Sequence, residues 1–139
     1  MRYIGLDLGT KTLGISISDI TKMIASTYTT IRYDGDTTNL IEHLDKIIQE
    51  EKIEKIILGF PKNMNNSVGD RGNASLEFKS LLENKFNIPV IMQDERLSTK
   101  EATNYLVQAD MSRKKRKKVI DSVAANIILQ TYLDKERGN

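Results

Sequence analysis

Apolar and polar residues change rhythm several times along this chain, and each rhythm predicts an element. Tyr3–Leu8 (YIGLDL) and Leu13–Ser18 (LGISIS) are β-prone, and Gly9-Thr10-Lys11 supplies the turn of a hairpin between them. Thr, Tyr and Ile enrich Ile24–Tyr33, a third strand, before Asp34-Gly35-Asp36 breaks the chain. Leu40, Ile41, Leu44, Ile47 and Ile48 then recur at helical spacing and predict an amphipathic helix over Thr38–Glu51. Lys55–Phe60 (KIILGF) suits a buried strand stopped by Pro61. A polar loop, PKNMNNSVGDRGN, follows. Leu76, Phe78, Leu81, Leu82 and Phe86 mark the next helix, and Ile88–Gln93 (IPVIMQ) a second core strand ending at Asp94-Glu95. Ser98 and Glu101 have capping-box spacing for a helix to about Ala109. A loop, Asp110–Arg113, leads to a basic run and a final helix.

The order is β-β-β-α-β-α-β-α-α. Three meandering strands followed by alternating strands and helices predict an α/β domain: a mixed five-stranded sheet, antiparallel at first and parallel later, flanked by helices. That is the order of the ribonuclease H-like fold. At 139 residues, with no linker or repeat, residues 1–139 are expected to form a single domain.

Composition narrows the chemistry. There is no cysteine, which excludes disulfides, thiolate metal sites and cysteine nucleophiles. With one histidine, His43, a metal site must be built from oxygen ligands, which favours Mg²⁺ or Mn²⁺ over zinc. His43 flanks an apolar stripe and reads as a surface or boundary residue. No apolar run is long enough to span a bilayer, and the first residues carry no signal-peptide pattern, so the expected location is the cytoplasm. The net charge of +2 is small, but Arg113, Lys114, Lys115, Arg116, Lys117 and Lys118 form one uninterrupted cationic block.

Three acids stand out by position. Asp7 lies inside an apolar strand, and the period of two puts it on one face with Tyr3 and Gly5, away from Ile4, Leu6 and Leu8. Its ordinary reading is a strand-end acid turning into the hairpin. Asp121 falls on the helical stripe of Ala124, Ala125, Ile128 and Tyr132. If the helix begins just before Val119, Asp121 is instead a wet first-turn residue favoured by the helix dipole. Glu95 follows a core strand, beside Asp94. In a ribonuclease H-like arrangement the three acids would converge. Clustered carboxylates repel unless divalent cations neutralise them, and two Mg²⁺ ions about 4 Å apart suit in-line phosphodiester hydrolysis.

Four stretches in order, YIGLDLGTKTLGISISD, ILGFPKNMNNSVGDRGNASLEF, DERLST and KKVIDSVAANIILQTYLD, resemble the signature blocks of the YqgF family. Its members are described as Holliday-junction resolvases and as pre-16S ribosomal RNA nucleases. The resemblance implies a fold close to bacterial Holliday-junction resolvases and a metal-dependent endonuclease acting in 5′-end maturation of ribosomal RNA. The family's acids fall on Asp7, Glu95 and Asp121. Thr12, Asn65-Asn66 and Gly72 depart from the usual pattern, which alters a positive charge and loop detail rather than the acids.

Lys11, Arg71 and Arg96 are candidate phosphate contacts, Arg71 foremost because the family motif has it and a guanidinium fork fits phosphate oxygens. Arg71 also reads as an exposed loop charge, and Arg96 as a partner for Asp94. The cationic block suits a nucleic-acid backbone, with no aromatic residue to stack bases, or else is a solvated run. The expected partner is pre-ribosomal RNA or branched DNA. A resolvase would need a homodimer to cut two strands, whereas RNA processing would not. Two rivals remain: an actin-like ATPase phosphate loop in Asp7-Leu8-Gly9-Thr10-Lys11, and a non-catalytic RNA-binding module of ribosome assembly.

Overall fold

The computed structural model describes residues 1–9, 11–33, 37–60, 70–94 and 113–136; the side chains of 70, 71, 94 and 113–122 are not described. Five strands and three helices fall within these residues: β1 (Arg2–Leu8), β2 (Thr12–Ser18), β3 (Ala25–Arg32), α1 (Thr37–Glu51), β4 (Ile53–Phe60), α2 (Asp70–Phe86), β5 (Val90–Asp94) and α3 (Arg113–Glu136). The strands make one sheet in the order β3-β2-β1-β4-β5. β1 pairs antiparallel with β2 and parallel with β4, and β5 adds parallel to β4. The expected mixed sheet is therefore present, antiparallel on one side of β1 and parallel on the other. The helix expected after Ser98 lies outside the described residues.

Alternation along the strands sorts side chains into two layers. Ile4, Leu6, Leu8, Leu13, Ile15, Ile17, Ile56 and Leu58 pack with Leu40, Leu44 and Ile47 of α1 and with Phe78 and Leu82 of α2. Tyr3, Ala25 and Ile57 face the other way and pack with Ile128, Leu129 and Leu133 of α3. Among the described residues the sheet is thus sandwiched, with α1 and α2 on one face and α3 on the other. Lys52 takes a left-handed conformation (φ 53°) that ends α1 and lets β4 begin.

Three helical details differ from the sequence expectation. α3 begins at Arg113, so the cationic block is helical rather than a loop before the helix. Lys and Arg are strong helix formers, and their mutual repulsion on an exposed helix is small and screened. α2 begins at Asp70, which puts Arg71 in its first turn instead of in a loop. Within α2, Phe78 and Leu82 are buried while Leu76 and Leu81 are exposed, so the apolar stripe is narrower than the pattern suggested.

Candidate active site

Asp7 sits inside β1, in register with Gly14 of β2, and is only 3% exposed. Asp7 is the last but one residue of β1, near the hairpin, but it is buried rather than solvated. It occupies the α3 face of the sheet with Tyr3 and Gly5, as the period of two required. Its cross-strand neighbour Gly14 has no side chain, so nothing from that residue crowds the carboxylate.

Gly5 explains how close α3 comes to the sheet. A Cβ placed on it would lie 2.6 Å from Ser16 Oγ, 2.7 Å from Leu129 Cβ and 3.0 Å from the Ala125 carbonyl oxygen. The Ser16 hydroxyl donates to that same carbonyl at 2.9 Å. At the other end of β1 the Tyr3 hydroxyl donates to Glu136 at 2.8 Å. α3 thus runs antiparallel to β1, with its last turn at Tyr3 and Ala125 over Gly5. Asp121 is one turn before Ala125, about 6 Å further along the axis. Two strand residues, from Gly5 to Asp7, span about 6.6 Å. The backbone of Asp121 therefore lies beyond Ala125 on the side of Gly5 towards which β1 runs on to Asp7. It stands eight residues after Arg113, which rules out the first-turn reading.

The parallel strands bring a third chain segment to the same edge. Gly5 aligns with Ile57 on β4, and Ile57 with Ile91 on β5. Two residues on, Gly59 pairs with Gln93, at the level of Asp7. β1, β4 and β5 all end at this edge, and β5 ends with Asp94. Glu95 and Arg96 lie outside the described residues, as do the side chains of Arg71, Asp121 and Arg113–Lys118. Lys11 is exposed in the turn that follows β1. His43 is exposed on α1, in the opposite layer. No group of three or more carboxylates, histidines or cysteines lies together among the described residues.

The far edge of the sheet is a clamp rather than a site. Lys55 Nζ donates to the Tyr132 hydroxyl and to Glu136, both at 3.0 Å, and lies 4.8 Å from the Tyr3 ring centre. Burial pulls the Lys55 pKa down, but these two bonds outweigh it and hold the amine above its ordinary value. Burial, then the bond to Glu136, raises the Tyr3 phenol. Tyr132 is consequently occupied in packing.

Two residues were missed by sequence reasoning. Gln93 is buried and shares the face of Asp7, a placement that the alternation in IPVIMQ already contained. Arg32 ends β3 beside the β1–β2 turn; nothing in its local sequence distinguishes it from a solvated cation.

A central strand carrying a buried acid under a crossing C-terminal helix, in a sheet of this order, defines the ribonuclease H-like class. Residues 1–135 match the family model described as RuvX, Holliday junction resolvase, and the chain belongs to that family. It is 53% identical over 137 residues to a Bacillus pumilus protein named "Putative pre-16S rRNA nuclease", covering 96% of this chain and 98% of that one. A Bacillus subtilis protein of the same name is 51% identical, with 96% and 98% covered. Among solved structures, the Fowlpox virus resolvase in complex with Holliday junction DNA superposes with TM-score 0.61 at 15% identity, covering 98% of this chain and 99% of that one. Thermus thermophilus RuvC with a Holliday junction substrate gives 0.60 at 12% identity, covering 99% and 97%. These two likenesses establish the fold.

Proposed function

We propose that this chain is a metal-dependent endonuclease that hydrolyses phosphodiester bonds, acting in the cytoplasm in processing of the 5′ end of pre-16S ribosomal RNA. The observation that carries this reading is the burial of Asp7, a carboxylate at 3% exposure on the central strand. Burying a charge costs several kcal/mol unless something compensates it, and a cation bound for catalysis is one compensation that also explains the position. The names of the relatives, at about half identity over the whole chain, supply the substrate.

The donor chemistry fits a hard divalent ion. Asp7, Glu95 and Asp121 offer only carboxylate oxygens, there is no cysteine, and the single histidine is on the opposite layer. These three would hold Mg²⁺ or Mn²⁺, two ions, which supply an activated water and charge for the leaving oxygen. The remaining work belongs to cations of the chain. Lys11, Arg71 and Arg96 would hold the scissile and neighbouring phosphates, and Arg113–Lys118, helical in α3, would hold the polymer through its backbone charge.

Cleavage of branched DNA is the second reading, favoured by the description of the family model as a Holliday junction resolvase. It would require a homodimer, since two strands must be cut symmetrically. One experiment separates the readings: cleavage of a pre-16S RNA 5′ leader and of a four-way DNA junction, each with Mg²⁺, with Mn²⁺ or with chelator. The proposal expects metal-dependent cleavage of the RNA, lost in Asp7→Asn while RNA binding persists. Cleavage that survives Asp7→Asn would refute the assignment, and binding without any cleavage would favour the RNA-binding module.

A further inference from the structure

The registers of the antiparallel half of the sheet single out one cation, Arg32, outside the proposed phosphate contacts. Asp7 pairs with Gly14, Gly14 with Thr30, and Thr12 with Arg32. Residues directly opposite in a ladder share a face, and so do positions two apart on one strand. Arg32 therefore stands on the same face of the sheet as Asp7. Two strand spacings and two residues separate them, about 12 Å between their backbones. Across that span the sheet presents only Gly14, which has no side chain, and Thr30 and Thr12, which are short.

Arg32 is exposed, and none of the ion pairs among the described residues engages it. Its backbone is nevertheless fixed to the site. The next residue, Tyr33, donates its N–H to the Lys11 carbonyl at 2.9 Å and its hydroxyl to the Gly9 carbonyl at 2.5 Å. The end of β3 is thereby stitched to the turn that leaves Asp7. An exposed guanidinium with so anchored a base differs from a cation on a loose surface loop, because holding it in place costs less entropy.

We propose that Arg32 is a nucleic-acid-binding residue, gripping a backbone phosphate beside the one presented to Asp7. This deepens the nuclease reading and rests on it for the polymer's course over the sheet. The planar fork suits two phosphate oxygens at once, and about 12 Å spans only a few nucleotides of one strand. Arg32 stands at the β2–β3 side of the acid, on the described part of the molecule, and exposed Lys11 lies in the adjoining turn.

Binding tests the idea without relying on turnover. In an Asp7→Asn background, Arg32→Gln is compared with the parent by fluorescence anisotropy on a labelled single-stranded RNA and on a labelled four-way DNA junction. The expected result is an affinity about three- to tenfold weaker at low salt, with the slope of log K against log salt reduced by about 0.7 on the single-stranded RNA. Arg32→Lys should recover part of the affinity and the full slope. Lys46→Gln, on the exposed side of α1 in the opposite layer, should change neither, and thermal melts check that each variant is folded. Loss on the RNA alone or on both probes supports the proposal and identifies the polymer held. Unchanged affinity and slope for Arg32→Gln, or an equal loss in Lys46→Gln, overturns it. Failure of the nuclease reading would show separately, as cleavage retained by Asp7→Asn.

Discussion

Gly5 and Leu129 stand so close that a single carbon added to the glycine would lie 2.7 Å from the leucine Cβ. The helix that carries Asp121 thus rests on bare backbone of the strand that carries Asp7. Gly5→Ala should force α3 outward and cost about 1–3 kcal/mol, the usual cost of overpacking. Chemical denaturation measures the loss. Cleavage should fall further than stability alone explains, since the displaced helix holds one of the proposed ligands. Wild-type stability in Gly5→Ala would show that the helix yields freely.

Asp7 should tie the stability of the fold to divalent ions. Asp7→Asn keeps the shape of the side chain and removes its charge, and with it one of the proposed ligands. Mg²⁺ should raise the melting temperature of the wild type and leave that of the variant nearly unchanged. Equal responses to Mg²⁺ in the two proteins would separate Asp7 from metal binding.

The clamp at the opposite edge predicts a modest effect. Lys55→Met leaves Glu136 bonded to Tyr3 and Tyr132 but without its cation. Both members of that pair are partly exposed, so the loss should be about 0.5–1 kcal/mol and should shrink in high salt. A loss of several kcal/mol would mean that the pair is far better shielded from water.

The β2–β3 turn predicts a pH effect of defined sign. The Asp19 carboxylate accepts from the Thr21 hydroxyl and from the N–H groups of Met23 and Ile24, at 2.9 and 3.1 Å for the latter two. These bonds, Thr21 first, lower its pKa to about 2. A depressed folded-state pKa means stability that is fully present above the unfolded value near 3.9 and lost as pH falls toward 2. Asp19→Asn should therefore lower the melting temperature at neutral pH and flatten its dependence between about pH 4 and pH 2. Identical acid profiles for the two proteins would contradict this.

Much of the architecture was legible because it depends on local periodicity. The period of two in YIGLDL separated Asp7 from Ile4, Leu6 and Leu8 onto opposite faces, and the structure keeps that division. The stripe of Leu40, Leu44 and Ile47 was equally explicit. What escaped depends on tertiary context. The start of α3 was hidden because six cations look the same whether helical or solvated. Leu76 and Leu81 fit a helical stripe, yet both stand exposed. Arg32 became meaningful only through the register that sets it opposite Thr12, which no single strand reveals. For the site itself, the sequence singled out three acids; the described structure shows the burial of Asp7 and the helical backbone of Asp121.

Asp121 stands one helical turn before Ala125, whose carbonyl is held against the sheet by the Ser16 hydroxyl. A single-residue insertion or deletion between Asp121 and Ala125 would swing the acid through about 100° and slide it along the strand together. Lineages carrying this domain are therefore bound to the length of that turn, and gaps in an alignment of functional relatives should fall elsewhere.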